Sequence, residues 1–272
     1  MAGSRTALVT GANSGLGLAT VLEFARRGHR AVGTVRSESK ADLVQEAARD
    51  AGLTVETELL DVTDAGGCAR VVADIKPDVL VNNAGYLLYA AIEDVEDDAA
   101  TAILDTMVVA PMRLARLFRP HMRDRGWGRI IQISSSSAIA SAPLMGWYQA
   151  SKQGLEGASD ALRYEVASDA VSVVLVEPGI FKSEITATFE ELSYPPNSRY
   201  VEAYERSRST FARLERFFTE AGTVAKVVVK AAEARTPQAR YPVGVDARLM
   251  SVTSHLVPQP IQDFFLRRSS SL

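Results

Sequence analysis

Tyr148 and Lys152 stand four residues apart in the stretch Trp147-Tyr148-Gln149-Ala150-Ser151-Lys152. If that stretch is helical, they share one face, one turn above each other. A phenol with an ammonium beside it is a proton donor whose anion the neighbouring charge stabilises. A carbonyl oxygen needs such a donor as it becomes an alkoxide. The spacing alone is weak evidence: with 8 Tyr and 6 Lys in 272 residues, about 0.2 such pairs arise by chance. Its weight depends on the rest of the chain. Ser135 lies thirteen residues upstream of Tyr148, in a serine run that follows the strand-like Arg129-Ile130-Ile131-Gln132-Ile133.

The elements that would position these groups begin at the N-terminus. Thr6-Ala7-Leu8-Val9 reads as a strand buried on both faces. It runs into Thr10-Gly11-Ala12-Asn13-Ser14-Gly15-Leu16-Gly17 and a helical stripe, Leu18, Val21, Leu22 and Ala25, closed by Gly28. Strand, glycine turn and helix start make an anion site, because backbone N–H groups and the helix dipole converge there. Three glycines at this spacing allow the tight turn and the close approach of a pyrophosphate. A second strand, His29 to Val35, ends at Arg36 without the carboxylate that would meet a ribose 2′-hydroxyl. An Arg there accommodates a 2′-phosphate, which favours NADP(H) over NAD(H).

Helix 38–51, strand 55–60, helix 64–75 and strand 79–81 continue the alternation. It predicts a Rossmann-type doubly wound parallel α/β sheet of about seven strands, with helices on both faces. Asp61-Val62 and Asn82-Asn83-Ala84-Gly85 fall where ligands bind such sheets, beyond the carboxyl ends of strands. Residues 96–125 read as one long helix that Pro111 would bend. The helix carrying Tyr148 continues through Leu155, Ser159, Leu162 and Val166, and Val171 to Val176 is a sixth strand leading to Glu177-Pro178-Gly179-Ile180-Phe181. The alternation then lapses. Residues 182–220, with Pro195-Pro196 and several aromatics, sit where a substrate lid would. Helix 223–234 and strand 241–243 follow, and 269–272 is expected to fray.

Composition narrows the classes. Lys+Arg 30 against Asp+Glu 33 leaves no electrostatic footprint for nucleic acid, and the 24 Arg to 6 Lys bias is a habit of composition. A lone Cys68 excludes an internal disulfide and fits a reducing compartment. No apolar run reaches membrane-spanning length. No linker divides the chain. The expectation is one domain over 1–272 in a soluble, cytoplasmic protein, with no metal site.

Taken together, Thr10-Gly11-xxx-Gly15-x-Gly17, Asp61, Asn82-Asn83-Ala84-Gly85, Ser135, Tyr148-xxx-Lys152 and Pro178-Gly179 resemble the short-chain dehydrogenase/reductase family over residues 5 to about 245. Within it the chain is most similar to reductases of bulky lipophilic ketones, of hydroxysteroid or retinol type. The resemblance implies that Tyr148 is the general acid in reduction and that Lys152 holds the nicotinamide ribose and stabilises the tyrosinate. It implies that Ser135 bonds the substrate oxygen. Gly11, Gly15, Leu16 and Gly17 would cradle the pyrophosphate, with Asn13 and Ser14 at the phosphates. Asp61 and Val62 would flank the adenine, Asn83, Ala84 and Gly85 the adenosine side, and Pro178, Gly179 and Phe181 the nicotinamide. Leu87, Leu88, Ile139, Met145, Trp147, Phe181 and Phe189 would line an apolar pocket for a lipophilic, including cyclic, carbonyl or alcohol. Family members pair subunits through the helix at 96–125 and the one after Tyr148, which implies a homodimer or homotetramer.

One position departs. Where the family often has Asn, in a stretch like Asp-Thr-Asn-Val-x-Gly, this chain has Asp105-Thr106-Met107-Val108-Val109-Ala110. That Asn normally holds a water at a helix irregularity, linking the Lys to solvent, and Met makes no such bonds usefully. The departure opens an alternative: a protein that binds NADP(H) but acts as a dehydratase, cyclase or cofactor sensor.

Overall fold

The computed structural model describes residues 4–182, 194–214, 218–253, 257, 258, 260, 261 and 264. Strands β1 (Thr6–Thr10), β2 (Arg30–Val35), β3 (Glu56–Leu59), β4 (Val79–Asn82), β5 (Gly128–Ile133), β6 (Val171–Pro178) and β9 (Arg240–Val243) form one sheet in the order β3-β2-β1-β4-β5-β6-β9. Every pairing in it is parallel. This is the Rossmann-type doubly wound sheet that the alternation predicts. Strand order reverses between β1 and β4, so their carboxyl ends diverge and open the crevice where ligands bind.

Helices α1 (Gly15–Arg26), α2 (Glu38–Asp50) and α8 (Ala221–Glu233) cover one face of the sheet. Helices α3 (Ala65–Ile75), α5 (Ala110–Asp124) and α6 (Gly146–Glu165) cover the other. β1 divides its side chains accordingly: Ala7 and Val9 enter the first core, Leu8 the second. Leu114, Phe118 and Met122 of α5 form a fully buried stripe at helical spacing, and each contributes about 1.5–3 kcal/mol by leaving water.

The long helix expected over 96–125 is present but irregular. α4 (Asp97–Leu104) passes into a π-turn at Asp105–Val109 before α5 begins. The expected bend at Pro111 is therefore realised one turn earlier. Pro111 has no N–H for the carbonyl of Met107, and the backbone re-registers: Ala110 N donates to Asp105 O, five residues back.

Beyond β6 the structure adds elements the sequence reading lacked. β7 (Phe181–Lys182) pairs in parallel with β8 (Thr219–Glu220), so the two ends of the insertion are tied together at its base. Between them lies α7 (Val201–Leu214), and after β9 comes α9 (Val245–Thr253). Tyr204 of α7 is 1% exposed and packs with Tyr89, Ala91 and Leu144. Its hydroxyl accepts from Ala91 N at 2.7 Å and donates to Asp94 Oδ2 at 2.8 Å. Phe189 and the tail at 269–272 lie outside the described residues.

Candidate active site

The glycine turn is built by close approach. Gly11 (φ +65) and Gly15 (φ +52) adopt the left-handed region, and a methyl on Gly11 would sit 2.9 Å from the Ala84 backbone. A methyl on Gly17 would collide with the Gly11 carbonyl oxygen and lie 2.6 Å from Asn83 Nδ2. Asn83 locks the turn from β4: its Nδ2 donates to Thr10 O at 2.9 Å and Gly11 O at 3.2 Å. Thr10 Oγ1 returns the contact, accepting from Asn83 N and Ala84 N at 3.0 Å each. Ser14 precedes α1 in extended conformation without a side-chain cap, and no acidic residue occupies the first turn. Asn13 Nδ2 instead donates to Ser14 Oγ at 3.4 Å. The N–H groups of Gly15, Leu16 and Gly17 thus head a helix with a positive, uncapped end, a cradle that fits a pyrophosphate.

The adenosine-side residues follow at the tips of β2 and β3. Arg36 is exposed, and its charge reaches Asp61. The Asp61 carboxylate accepts from Thr63 N at 2.9 Å and Thr63 Oγ1 at 2.7 Å, which holds it below its ordinary range. Asp64, not Asp61, caps α3 through Gly66 N. Val62 is buried, and its carbonyl accepts from Arg113 Nη1 at 2.9 Å.

On the other side of the crevice, Ser135 leaves β5 in extended conformation, its Oγ accepting from Ser137 N at 3.1 Å. α6 places Tyr148 and Lys152 on one face, with Lys152 Nζ 5.7 Å from the centre of the Tyr148 ring. Burial pushes the phenol up, while the Ser135 hydroxyl bonded to it favours the anion and pulls it back. Burial also lowers Lys152 to about 8, against the opposing pull of Glu156. Lys152 Nζ donates to Ile133 O at 2.8 Å, which fixes the ammonium beside the end of β5. Gln149 braces the loop ahead of the helix, donating to Ala140 O and accepting from Ala142 N, each at 3.1 Å.

Pro178 and Gly179 end β6. Gly179 N donates to Val243 O at 2.8 Å, and Ile180 N donates to Asp246 Oδ2 at 2.8 Å. Phe181 follows in β7, its backbone paired with Thr219, and is partly buried against the main core. Of the expected pocket lining, Leu87 and Met145 join the Tyr89–Tyr204 cluster, and Leu88, Ile139 and Trp147 are half-buried. Gly85 lies under Met107, whose Sδ, Cγ and Cε approach within 3.3–3.4 Å of where a Gly85 methyl would be. Met107 is 2% exposed, and Ser151 Oγ points at its sulfur from 3.8 Å. The helix irregularity is kept, and a thioether fills it.

Gln149, Glu156 and Asp246 escaped the sequence reading as site-building residues, and Thr10 stood in the glycine motif without a role of its own. For Thr10 the signal was its place before Gly11; for the others it was contact across the fold, which spacing does not carry. A cavity of about 540 Å³ opens at the opposite edge of the sheet, lined by Arg5, His29, Trp127 and Arg129. It is remote from Tyr148 and belongs to the amino ends of the strands. Among the described residues no group of three or more His, Cys, Asp or Glu could hold a metal, and no helix is long and apolar enough to cross a membrane.

Sheet order, switch point and glycine turn define the doubly wound class of nucleotide-binding α/β proteins. Residues 5–192 match the family model for the short chain dehydrogenases, and the chain belongs to that family. It is 30% identical over 271 residues to the NADPH-dependent 3-dehydrocapnine reductase of Ornithobacterium rhinotracheale, covering 95% of each chain. It is 36% identical over 189 residues to 11-beta-hydroxysteroid dehydrogenase 1A of Arabidopsis thaliana, a match over 67% of this chain and 54% of that one. A short-chain dehydrogenase structure from Streptomyces avermitilis superposes with a TM-score of 0.81 at 29% identity, covering 97% and 95% of the two chains. The protein is an oxidoreductase of this family.

Proposed function

We propose that the protein reduces a ketone or aldehyde of a lipophilic small molecule with NADPH, or oxidises the corresponding alcohol with NADP+. The observation that carries this reading is the Ser135–Tyr148–Lys152 constellation at the carboxyl end of β5. When bound, the dinucleotide supplies the hydride. Tyr148 gives its proton to the forming alkoxide, Lys152 stabilises the tyrosinate, and Ser135 holds the substrate oxygen. Gly11 to Gly17 would hold the pyrophosphate, and Asp61 to Val62 and Asn83 to Gly85 the adenosine side. Arg36, exposed at the tip of β2 where a 2′-phosphate would lie, supports NADP(H) over NAD(H), as does the NADPH-dependent relative. Pro178 and Gly179, with the Phe181 backbone, would back the nicotinamide.

The chain is read as one domain in which the insertion at 182–220 would serve as the lid; of it, 183–193 and 215–217 lie outside the described residues, and α7 with the β7–β8 pairing at its base supports the reading. The aromatic packing of Tyr194, Tyr200, Tyr204 and Phe211 around Tyr89 supports an apolar substrate. Exposed Val109 (49%) and Tyr164 (71%), on the two helices family members use for pairing, support a homodimer or homotetramer. A cytoplasmic home fits the single, buried thiol of Cys68. The buried thioether of Met107 favours a second reading, in which dinucleotide binds without net redox.

A panel of lipophilic ketones assayed with NADPH and with NADH tests both readings. Turnover that is lost in Tyr148→Phe supports the first. Tight NADPH binding with no turnover of any ketone supports the second, and full activity in Tyr148→Phe overturns the role given to the phenol.

A further inference from the structure

The cavity of about 540 Å³ at the amino ends of the strands collects positive charge that the fold leaves without a counter-charge. Arg129, the second residue of β5, is 4% exposed. Its Nη1 donates to Gly128 O at 2.9 Å, and its Nη2 to Ala234 O at 3.0 Å and Arg235 O at 3.4 Å, just past the end of α8. These acceptors are neutral carbonyls, and the Nε is enclosed with no partner. Arg5, just before β1, stacks its guanidinium 3.4 Å from the centre of the Trp127 ring, and Arg129 lies 4.5 Å from the same centre. Two like charges thus share one indole. Among the described residues the guanidinium groups of Arg5 and of Arg235, exposed at the rim, have neither a hydrogen-bond acceptor nor an ion pair. The carboxylate that lines the cavity, Glu233, is already engaged: Arg27 Nη1 donates to its Oε2 at 2.7 Å, and His29 Nε2 lies 3.2 Å from its Oε1. His29 Nδ1 accepts from Arg5 N, which places the ring proton on Nε2 and leaves the imidazole neutral. Asp78, whose carbonyl accepts from Arg129 N, commits its carboxylate to Thr6 N and Arg125. Elsewhere Arg27, Arg30 and Arg240 are raised by their carboxylate partners, whereas burial first and the Arg5 charge second lower Arg129.

We propose that this cavity is a binding site for a small carboxylate with an apolar body, separate from the crevice at the carboxyl ends of the strands. The carboxylate would meet the unpaired guanidinium groups of Arg5 and Arg235 in the field of Arg129, forming the paired N–H···O bonds that a guanidinium fork makes with a planar anion. Phe24, Val79, Val171 and Ala232 supply an apolar wall for the body, and the volume is that of a small-molecule site. The apolar wall selects against a bare inorganic anion, and the excess of cations selects against a neutral lipid. A cation buried without a counter-charge is costly in the empty protein, and an anion entering the cavity removes that cost. The proposal is independent of the reductase reading, because none of these residues belongs to the Tyr148 site.

The chain has 2 Trp, Trp127 in this cavity and Trp147 next to Tyr148, so fluorescence of the wild type and of Trp127→Phe tells the two sites apart. The full-length protein is titrated with octanoate and with phenylacetate, and with octanol and inorganic phosphate as controls. At least one of the two carboxylates should change the Trp127 emission saturably and bind at a single site by calorimetry, while octanol at the same concentration does neither. Arg5→Gln removes a charge that holds no ion pair, so the fold should survive it, and the affinity for the carboxylate should fall about 10–100-fold. Arg129→Met should lose at least as much, with melting temperatures confirming that both variants are folded. The proposal is overturned if neither carboxylate binds saturably, if affinity is unchanged in Arg5→Gln, or if the fluorescence response persists in Trp127→Phe. Inorganic phosphate binding as tightly as the carboxylates would mean an adventitious ion only, and overturns it as well.

Discussion

Gly17→Ala is the sharpest test of the nucleotide turn, because the structure specifies what the added methyl meets. Its neighbours are the Gly11 carbonyl oxygen and Asn83 Nδ2, both closer than any real Cβ contact. Neither is the free end of a flexible side chain: Gly11 is backbone, and Asn83 Nδ2 is held by Thr10 O and Gly11 O. Relief therefore requires moving the turn away from α1. Overpacking of this kind costs about 1–3 kcal/mol, and loss of one Asn83 bond adds about 1 kcal/mol. The protein should melt lower, and the amides of residues 15–17 should no longer converge, weakening NADPH binding by more than about 100-fold, or roughly 3 kcal/mol. Gly28→Ala is the matched control. Gly28 has φ +82 with open space around it, so alanine there meets only backbone strain of about 1–2 kcal/mol. It should lower the melting temperature and leave NADPH affinity unchanged by calorimetry. Equal loss of affinity in both variants, or none in Gly17→Ala, would refute the assignment of this turn to the pyrophosphate.

Arg36→Ala should weaken NADPH binding about 10–100-fold, the worth of a charge-assisted contact, and leave NADH binding as it is; equal effects on both dinucleotides would remove Arg36 from the 2′-phosphate. Tyr204→Phe strands the buried Ala91 N–H and takes one of two donors from Asp94 Oδ2, which keeps Ser198 Oγ at 2.6 Å, so about 1–3 kcal/mol of stability should go, read as a fall in melting temperature. Glu177 is raised in the fold, from 4.5 to about 7, so the stability it adds is complete below pH 4.5 and is lost as pH rises through 7. Glu177→Gln should accordingly match the wild type near pH 5 and melt above it at pH 8, by at most about 3 kcal/mol. A melting curve difference that does not change with pH would count against a neutral Glu177.

The sheet was legible because β1, β4 and β6 carry continuous apolar runs, as burial on both faces requires, and because strands alternate with striped helices; the polar edge strand β3 (Glu56-Thr57-Glu58-Leu59) was placed by that alternation alone. The glycine turn was legible for a local reason: Gly11, Gly15 and Gly17 answer to backbone geometry within one turn of chain. So was the Tyr148–Lys152 pair, since helical spacing alone places it. What spacing could not carry were contacts between distant segments. Asp246 holds Ile180 across 66 residues, and Arg240 reaches Asp160 across 80. The pairing of Phe181 with Thr219 was equally hidden, because two-residue strands have no period to read. Phe181, expected at the pocket and the nicotinamide from its position after Pro178-Gly179, is partly buried against the main core.

Met107 separates two things that the family's usual Asn combines, the shape of the π-turn and its chemistry. The shape survives the substitution because its cause is elsewhere: Pro111 lacks the N–H that the Met107 carbonyl would take, and Arg113 ties the turn to the loop after β3 through Asp105 Oδ1 and Val62 O. Those constraints act on the backbone and are indifferent to the side chain at 107. The chemistry does not survive, since a thioether 2% exposed over Gly85 neither donates nor usefully accepts a hydrogen bond. A buried ammonium still requires a counter-charge. The carboxylate of Glu156, anchored by Ser134 and Arg240 one turn along α6, is the charge that acts on it, favouring the protonated amine against burial.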